Sequence, residues 1–435
     1  MIPGSERNYR TSEENDSAEG GKMSFHDLHT RTRYLGLVCV IACSLVFSLS
    51  GCAVLAPAPE PVTITFSYSN YYTNAKHLEA MVDEFNEQYP YISVELQPFT
   101  FYRSLTYSGD VNVAYSWDTL EKHAQGTITM MDLTSFIEKE DSFDLADFYP
   151  GMLDFFRMEG KTLAIPTGVD INVLYYNKDL FDRYGVPYPE AGWTWDDFLD
   201  AAIALSDPKA GIYGFGANPD GWDYVSIIYS RGGQLVDDLQ EPTRTMFDDP
   251  KNIEALEWYV GLSEEYNVAP TREQVQKELR GYVYDGITRG MVGMWLGGFS
   301  ERQGYDPDWG FEWGMAPLPG EEGTPALGWW EEGLFISGEA QHPDACWKWI
   351  VFLCERNLPE FLMPVRRSVV ESEEYREAVG FEVADITLAS IKKVSPVGYE
   401  TQELFKKLDQ GVDMYFSGTF ETPQEALVWA QERVR

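Results

Sequence analysis

VTITFSYSNYYTNAKHLEAMVDEFNEQYPYISVELQ, residues Val62 to Gln97, carries the pattern that decides the fold. Val62 to Tyr68 alternates as a half-buried strand does. From Ala75 the apolar side chains recur at helical spacing, at Leu78, Met81, Val82 and Phe85, until Pro90 stops the run. Tyr91 to Gln97 alternates again. Strand, helix and strand with short links form a βαβ unit, so the two strands are expected in parallel, joined by a right-handed crossover. Loops beyond the carboxyl ends of such strands are where α/β proteins bind ligands, which marks Ser69, Asn70 and Tyr71.

The alternation continues outward from this unit. Leu163 to Pro166 and Ile171 to Asn177 read as strands around a break at Thr167 to Asp170. A helix follows from Thr194, its N-cap, with Asp197 three residues on and Trp195, Phe198, Leu199, Ala202 and Leu205 on its apolar face. Beyond "MVGMWLGGF" (291–299) and "WGMAPLPGEEG" (313–323), Gly333 to Ser337 reads as a strand. The helix from Pro343 carries Ala345, Cys346, Trp349, Ile350 and Leu353 on one face. Thr422-Pro423-Gln424-Glu425 opens the last helix with N-cap, proline and capping partner together. No internal repeat is visible, and the pattern is that of an α/β protein of two lobes.

The N-terminal part reads differently. Arg31 and Arg33 precede an uncharged run whose core, Leu35 to Leu49, is shorter than the roughly 20 residues that span a bilayer, the order of an export signal. Met23 is a plausible start, since residues 1 to 22 are polar and unlike a signal. Leu49-Ser50-Gly51-Cys52 resembles the lipobox of bacterial lipoproteins, which implies cleavage before Cys52, a lipid on its thiol and a tether to Pro61. An uncleaved anchor over Leu35 to Ala56 is the alternative. Both leave the bulk of the chain outside the cytoplasm.

The portion from Cys52 suits two domains and holds all 13 tryptophans, in a sequence of 44% hydrophobic and 14% aromatic residues. Without residues 1 to 51 it has 28 basic against 64 acidic residues, a net charge of −36. That charge repels phosphate backbones and anionic lipid, which argues against nucleic-acid binding and favours neutral or cationic small ligands. Cys346 and Cys354 lie about 12 Å apart along a helix, too far for a bridge. His77, His123 and His342 are scattered, so neither a metal site nor a Ser-His or Cys-His pair is expected, and no cofactor. Gly160-Lys161-Thr162 lacks the upstream glycine of a phosphate loop, and Gly214 to Asn218 meets proline where a third glycine belongs.

Four blocks in order resemble the family 1 extracellular solute-binding proteins, the sugar receptors of bacterial ABC importers. They are "MVDEFNEQYPYISVEL", "GKTLAIPTGVDINVLYYNKDLFDRYGV" with "TWDDFLDAA", "VGMWLGGF", and "MAPLPGEEGTPALGWWEEGLFIS" with "HPDACWKWIVFLCE". Phe299 stands where the family often has tryptophan, and "GWWEEG" is heavier and more acidic than usual. The resemblance implies a type II periplasmic-binding-protein-like fold, each lobe a mostly parallel sheet flanked by helices. By the matched motifs one lobe takes residues 62–170 and 334–366, the other 171–333 and 367–435. It further implies a monomer that closes on its ligand and is read by membrane permease subunits.

Sugar recognition needs flat apolar faces for C–H groups and acceptors for hydroxyls, and tryptophan beside carboxylate supplies both. Trp117-Asp118, Trp222-Asp223 and Trp329-Trp330-Glu331 have that form in expected loops, and Asp170 lies in the crossing loop after Pro166. Trp295 and Phe299 are candidate platforms, while Trp258, Trp347 and Trp349 sit at helical spacing and read as core. Aromatics with carboxylates also suit a polyamine or other cation. Paired carboxylates near tryptophan describe glycoside hydrolases too, though with 64 acidic residues such pairs arise by chance.

Overall fold

β1 (Val62–Ser69) and β2 (Ile92–Phe99) pair in parallel from Val62↔Ile92 to Ser69↔Phe99, as the opening pattern requires. The helix Ala75–Gln88 between them buries Leu78, Met81, Val82 and Phe85. These features belong to a computed structural model that describes residues 60–69, 75–99, 107–140, 143–217, 222–303, 309–321, 323–356 and 361–434. The expected leader, Cys52 and most of the tether lie outside the described residues, as do Asn70 and Tyr71.

β3 (Val111–Tyr115) joins the other side of β1, also in parallel. A small hairpin of β4 (Arg157–Met158) and β5 (Lys161–Thr162) turns through Glu159 and Gly160, both at positive φ. The remaining strands are β6 (Ile165–Asn177), β7 (Tyr213–Phe215), β8 (Val292–Gly298), β9 (Trp313–Ala316), β10 (Ala326–Ile336), β11 (Met363–Pro364) and β12 (Val394–Pro396). The main order is β2-β1-β3-β10-β6-β8-β7. Towards the two ends the strands pair in parallel, β2 and β3 with β1, and β7 with β8. The long β10 and β6 run antiparallel to each other in the middle.

β6 changes partner along its length: Ile165 to Ile171 lie against β10, and Asn172 to Tyr176 against β8. Because side chains alternate across a strand, Ile171, Val173 and Tyr175 enter one hydrophobic core while Leu174 and Tyr176 enter another. The first core also takes β1 to β3 and the helix Pro343–Arg356, with Trp347 and Trp349. The second takes the helices Trp195–Leu205, Asp223–Ser230, Pro250–Glu264, Tyr399–Phe416 and Pro423–Glu432. Cys346 and Cys354 are buried free thiols, which burial pushes up to about 12.

Two expectations give way here. Thr167 to Asp170 is no break but the middle of β6, paired to β10 on one side and, at Gly168 and Val169, to β11 on the other. "GWWEEG" is likewise strand, inside β10, with irregularities between Gly328 and Trp330 and between Glu332 and Gly333. Its glycines serve packing: a Cβ on Gly328 would stand 2.7 Å from the Phe155 ring, and one on Gly333 2.6 Å from the Phe156 ring.

The helix starts follow the sequence. Thr194 and Asp197 form a reciprocal capping box, as do Thr422 and Glu425. Replacing Thr194 by alanine removes an acceptor for the Asp197 N–H and is expected to cost about 1 kcal/mol in urea unfolding; an unchanged midpoint would contradict this capping role.

Candidate functional site

β6 is buried along its whole length except at Asn172, the residue at which it passes from β10 to β8. Asn172 Nδ2 donates to Ser226 Oγ at 3.0 Å, and Trp329 Nε1 donates to the same oxygen at 3.1 Å. Trp329 lies at the irregularity in β10, so it leaves the regular pleat and reaches the helix Asp223–Ser230. Trp222, the N-cap of that helix, sets its ring edge-on to Trp329 at 5.3 Å and 78°, and both rings rest against Phe405 at 6.3 Å. Trp222 also hydrogen-bonds the Asp409 carboxylate. Trp222 and Trp329 remain half-buried, so ring surface stays open to a ligand.

One residue on, Trp330 pairs with Asp170 and Glu332 with Gly168 across the β10–β6 ladder, while Glu332 faces Tyr115 of β3 on its other side. Residues directly opposite share a face of the sheet, which brings Tyr115, Trp330, Glu332 and Asp170 together. The rings of Tyr115 and Trp330 are 5.3 Å apart. Thr167 Oγ1 donates to the Glu332 backbone oxygen at 3.2 Å and to its Oε1 at 3.3 Å. Burial pushes the Glu332 carboxyl up to about 7, outweighing the Thr167 hydrogen bond. Burial also raises Asp170 to about 6, although the Ser300 hydroxyl and backbone N–H donate to it.

Asp170 is thereby tied to the short turn Phe299–Gln303. Arg302 fastens the same turn, donating from Nη1 to the Phe299 oxygen at 2.6 Å and the Phe361 oxygen at 2.7 Å, with its guanidinium 3.8 Å over the Phe299 ring.

The other residues singled out by sequence separate into groups. Trp222 and Trp329 come together, Trp330 lies one residue on against Tyr115, and Asp223 is buried in the first turn behind Trp222. Ser69 is buried at the end of β1. Trp117 falls in the first turn of the helix Ser116–Ala124, its side chain outside the described residues. Asp118 accepts from the Tyr107 hydroxyl at 2.7 Å and pairs with Lys122 at 2.8 Å, so it is already engaged.

Trp295 and Phe299 correct the expectation of platforms: they are 2% and 0% exposed. β8 lies between β6 and β7 with both faces covered, and Trp295 stacks on Tyr175 at 5.8 Å and 11°. Of the two glutamates, Glu331 is the wholly buried one, opposite Val169, while Glu332 is half-open. Sequence reasoning missed Asn172, Ser226, Thr167, Tyr115 and Glu332. A lone amide in the apolar run "INVLYY" was the available signal for Asn172.

A family described as bacterial extracellular solute-binding protein matches residues 71–355, about two thirds of the chain. The chain belongs to this family. Among relatives of this solute-binding protein, an arabinooligosaccharide-binding protein of Halalkalibacterium halodurans is 27% identical over 195 residues, 44% of this chain and 40% of that one. A mannitol-binding protein of Pseudomonas aeruginosa is 24% identical over 58% of this chain and 61% of its own. The matches thus span about half the length of these relatives. Two solved structures extend further. The ABC substrate-binding protein of Listeria monocytogenes in complex with cycloalternan superposes with a TM-score of 0.68 at 23% identity, over 86% of this chain and 98% of that one. The cyclic alpha-maltosyl-1,6-maltose binding protein of Arthrobacter globiformis gives 0.69 at 19% identity over the same shares. The fold is therefore that of the two-lobed, maltose-binding type of receptor.

Proposed function

We propose that this protein captures a neutral sugar or oligosaccharide between its lobes, outside the cytoplasm, and delivers it to the permease subunits of an ABC importer. The observation that carries this reading is the pair of adjoining groups where β6 passes between partners: Trp222 and Trp329 with Asn172, and Trp330 with Asp170 and Glu332. Aromatic faces take the C–H surface of a sugar, and the Asn172 amide and the half-open Glu332 carboxyl take its hydroxyls, with Asp170 buried behind them. The names of the relatives, arabinooligosaccharide-binding and cyclic alpha-maltosyl-1,6-maltose binding among them, point to the same chemistry.

In this reading the lobes are 62–170 with 334–366 and 171–333 with 367–435, and closure between them is a population shift driven by ligand. The change of partner along β6, between Ile171 and Asn172, supports a boundary in this region. The protein works as a monomer, anchored through a lipid on Cys52, and binds without turning its ligand over.

Thermal shift of the intact protein against mono- and oligosaccharides and polyamines, at low and high salt, tests it. Ligands that bind only the folded state raise the melting temperature by mass action. A sugar-specific shift that ignores salt, without product, is expected. A salt-sensitive polyamine shift would replace the cargo by a cation, and release of shorter sugars would make the protein a hydrolase.

A further inference from the structure

Along β6, pairing with β10 and β11 ends by Ile171 and pairing with β8 begins at Asn172. Asp170 stands at this changeover, with Trp330 opposite it across the ladder and Asn172 two residues on. The turn Phe299–Gln303, which leaves β8 after Gly298, is fastened across it. The Ser300 N–H donates to Asp170 Oδ1 at 3.0 Å and the Ser300 hydroxyl donates to Oδ2, while Arg302 donates to the Phe361 oxygen, two residues before β11. A Cβ on Gly298 would stand 2.6 Å from Asp170 Oδ2, so the carboxyl lies where β8 carries no side chain.

The charge on Asp170 decides how firmly this turn is held. Hydrogen bonds to an ionised carboxylate are roughly twice as strong as those to a neutral acceptor, so protonation loosens the grip on Ser300. Asp170 is buried, and burial holds its carboxyl up to about 6 despite the two Ser300 bonds. At neutral pH it is ionised at a cost to stability, a cost that functional sites characteristically carry. Glu301 and Arg302 act on it from the turn with opposite signs, Tyr175 neighbours it on β6, and Glu332 lies two residues along β10 from its partner Trp330. The strands β11, through Met363 and Pro364, and β8, through Gly297 and Gly298, bring no charge.

We propose that Ser300 is a positioning residue for the sugar site: acting through Asp170, and with Arg302 fastening its turn, it clasps the exit of β8 to β6 and sets Asn172 and Trp330 in place for the ligand. The inference rests on the sugar-binding reading of the site. Ser300 acts on the sugar only through the strands it joins. The clasp grips best with Asp170 charged, so sugar binding is strongest in mild alkali and weakens in acid.

Calorimetric titration of the intact protein with two ladders, arabinooligosaccharides and maltooligosaccharides, between about pH 5 and pH 8 tests the proposal. Wild-type affinity is expected to fall roughly five- to tenfold from the alkaline to the acid end, with a midpoint near the Asp170 value of about 6. Glu332 titrates in the same range, so the variants are compared in a Glu332→Gln background, where the acid limb should persist. There Ser300→Ala, which removes a donor that favours the charged form, should weaken binding at the alkaline end and move the midpoint upward; Ser300→Thr, which keeps a hydroxyl, should restore both. Asp170→Asn should bind alike across the range. Sugar binding that ignores pH, tightens in acid, loses its acid limb with Glu332→Gln alone or keeps it in Asp170→Asn would overturn the clasp and leave the sugar site standing. A loss in Ser300→Ala with an unmoved midpoint would make Ser300 merely structural and would also overturn it. If neither ladder binds the wild type at any pH, the sugar reading falls and this inference falls with it.

Discussion

Trp329→Ala is expected to weaken sugar binding by roughly 30-fold or more, the loss typical of a buried aromatic anchor at the centre of a binding site. Two effects combine. The ring supplies a flat face held edge-on by Trp222 and backed by Phe405. Its Nε1 also donates to Ser226 Oγ, the oxygen that accepts from the Asn172 amide, so removing it leaves that hydroxyl held by one donor fewer beside the site. Trp329→Phe keeps a ring but not the hydrogen bond, and a loss of about tenfold or less is expected. Trp329 is half-buried, so urea unfolding of the alanine variant should still show a cooperative transition. Titration monitored by tryptophan fluorescence reads both variants, and wild-type affinity in Trp329→Ala would remove this residue from the site.

Glu332→Gln is expected to stabilise the protein at alkaline pH by about 2 kcal/mol and to change little at pH 5, after allowing for the half-exposure of the side chain. The sign follows from the direction of the shift. Burial raises the carboxyl from an ordinary value of 4.5 to about 7 in the folded chain. The folded state therefore holds this proton more tightly than the unfolded one, and its contribution to stability is complete below about pH 4.5 and lost as pH rises through about 7. Glutamine carries no charge to desolvate, and its carbonyl still accepts from Thr167. Urea unfolding across that range checks it; parallel stability profiles for the two proteins would show that Glu332 is not held against its charge.

The local architecture was legible in the sequence because local rules determine it. The βαβ unit from Val62, the capping boxes at Thr194 and Thr422, and the apolar face of the helix from Pro343 each depend on residues a few positions apart. The middle of the sheet was not. Gly328 and Gly333 look like loop punctuation, yet they are glycine because Phe155 and Phe156, far away in sequence, press on the backbone there.

The candidate site divided along the same line. Trp222, Trp329 and Trp330 could be picked out by type and neighbourhood, but Trp295, equally flanked by glycine, is core because β8 is covered on both faces. Whether Glu331 or Glu332 opens to solvent depends on register across β10 and β6, and period-2 patterning alone does not fix the phase of a strand interrupted by irregularities.

Calorimetric titration of the intact protein with arabino- and maltooligosaccharides at low and high salt decides whether the tryptophans beside β6 hold a neutral sugar. Binding to one of these ladders is expected, with a Kd that salt leaves essentially unchanged, because a neutral ligand carries no charge to screen. No binding of either sugar, together with binding of a polyamine that weakens as salt rises, would contradict it.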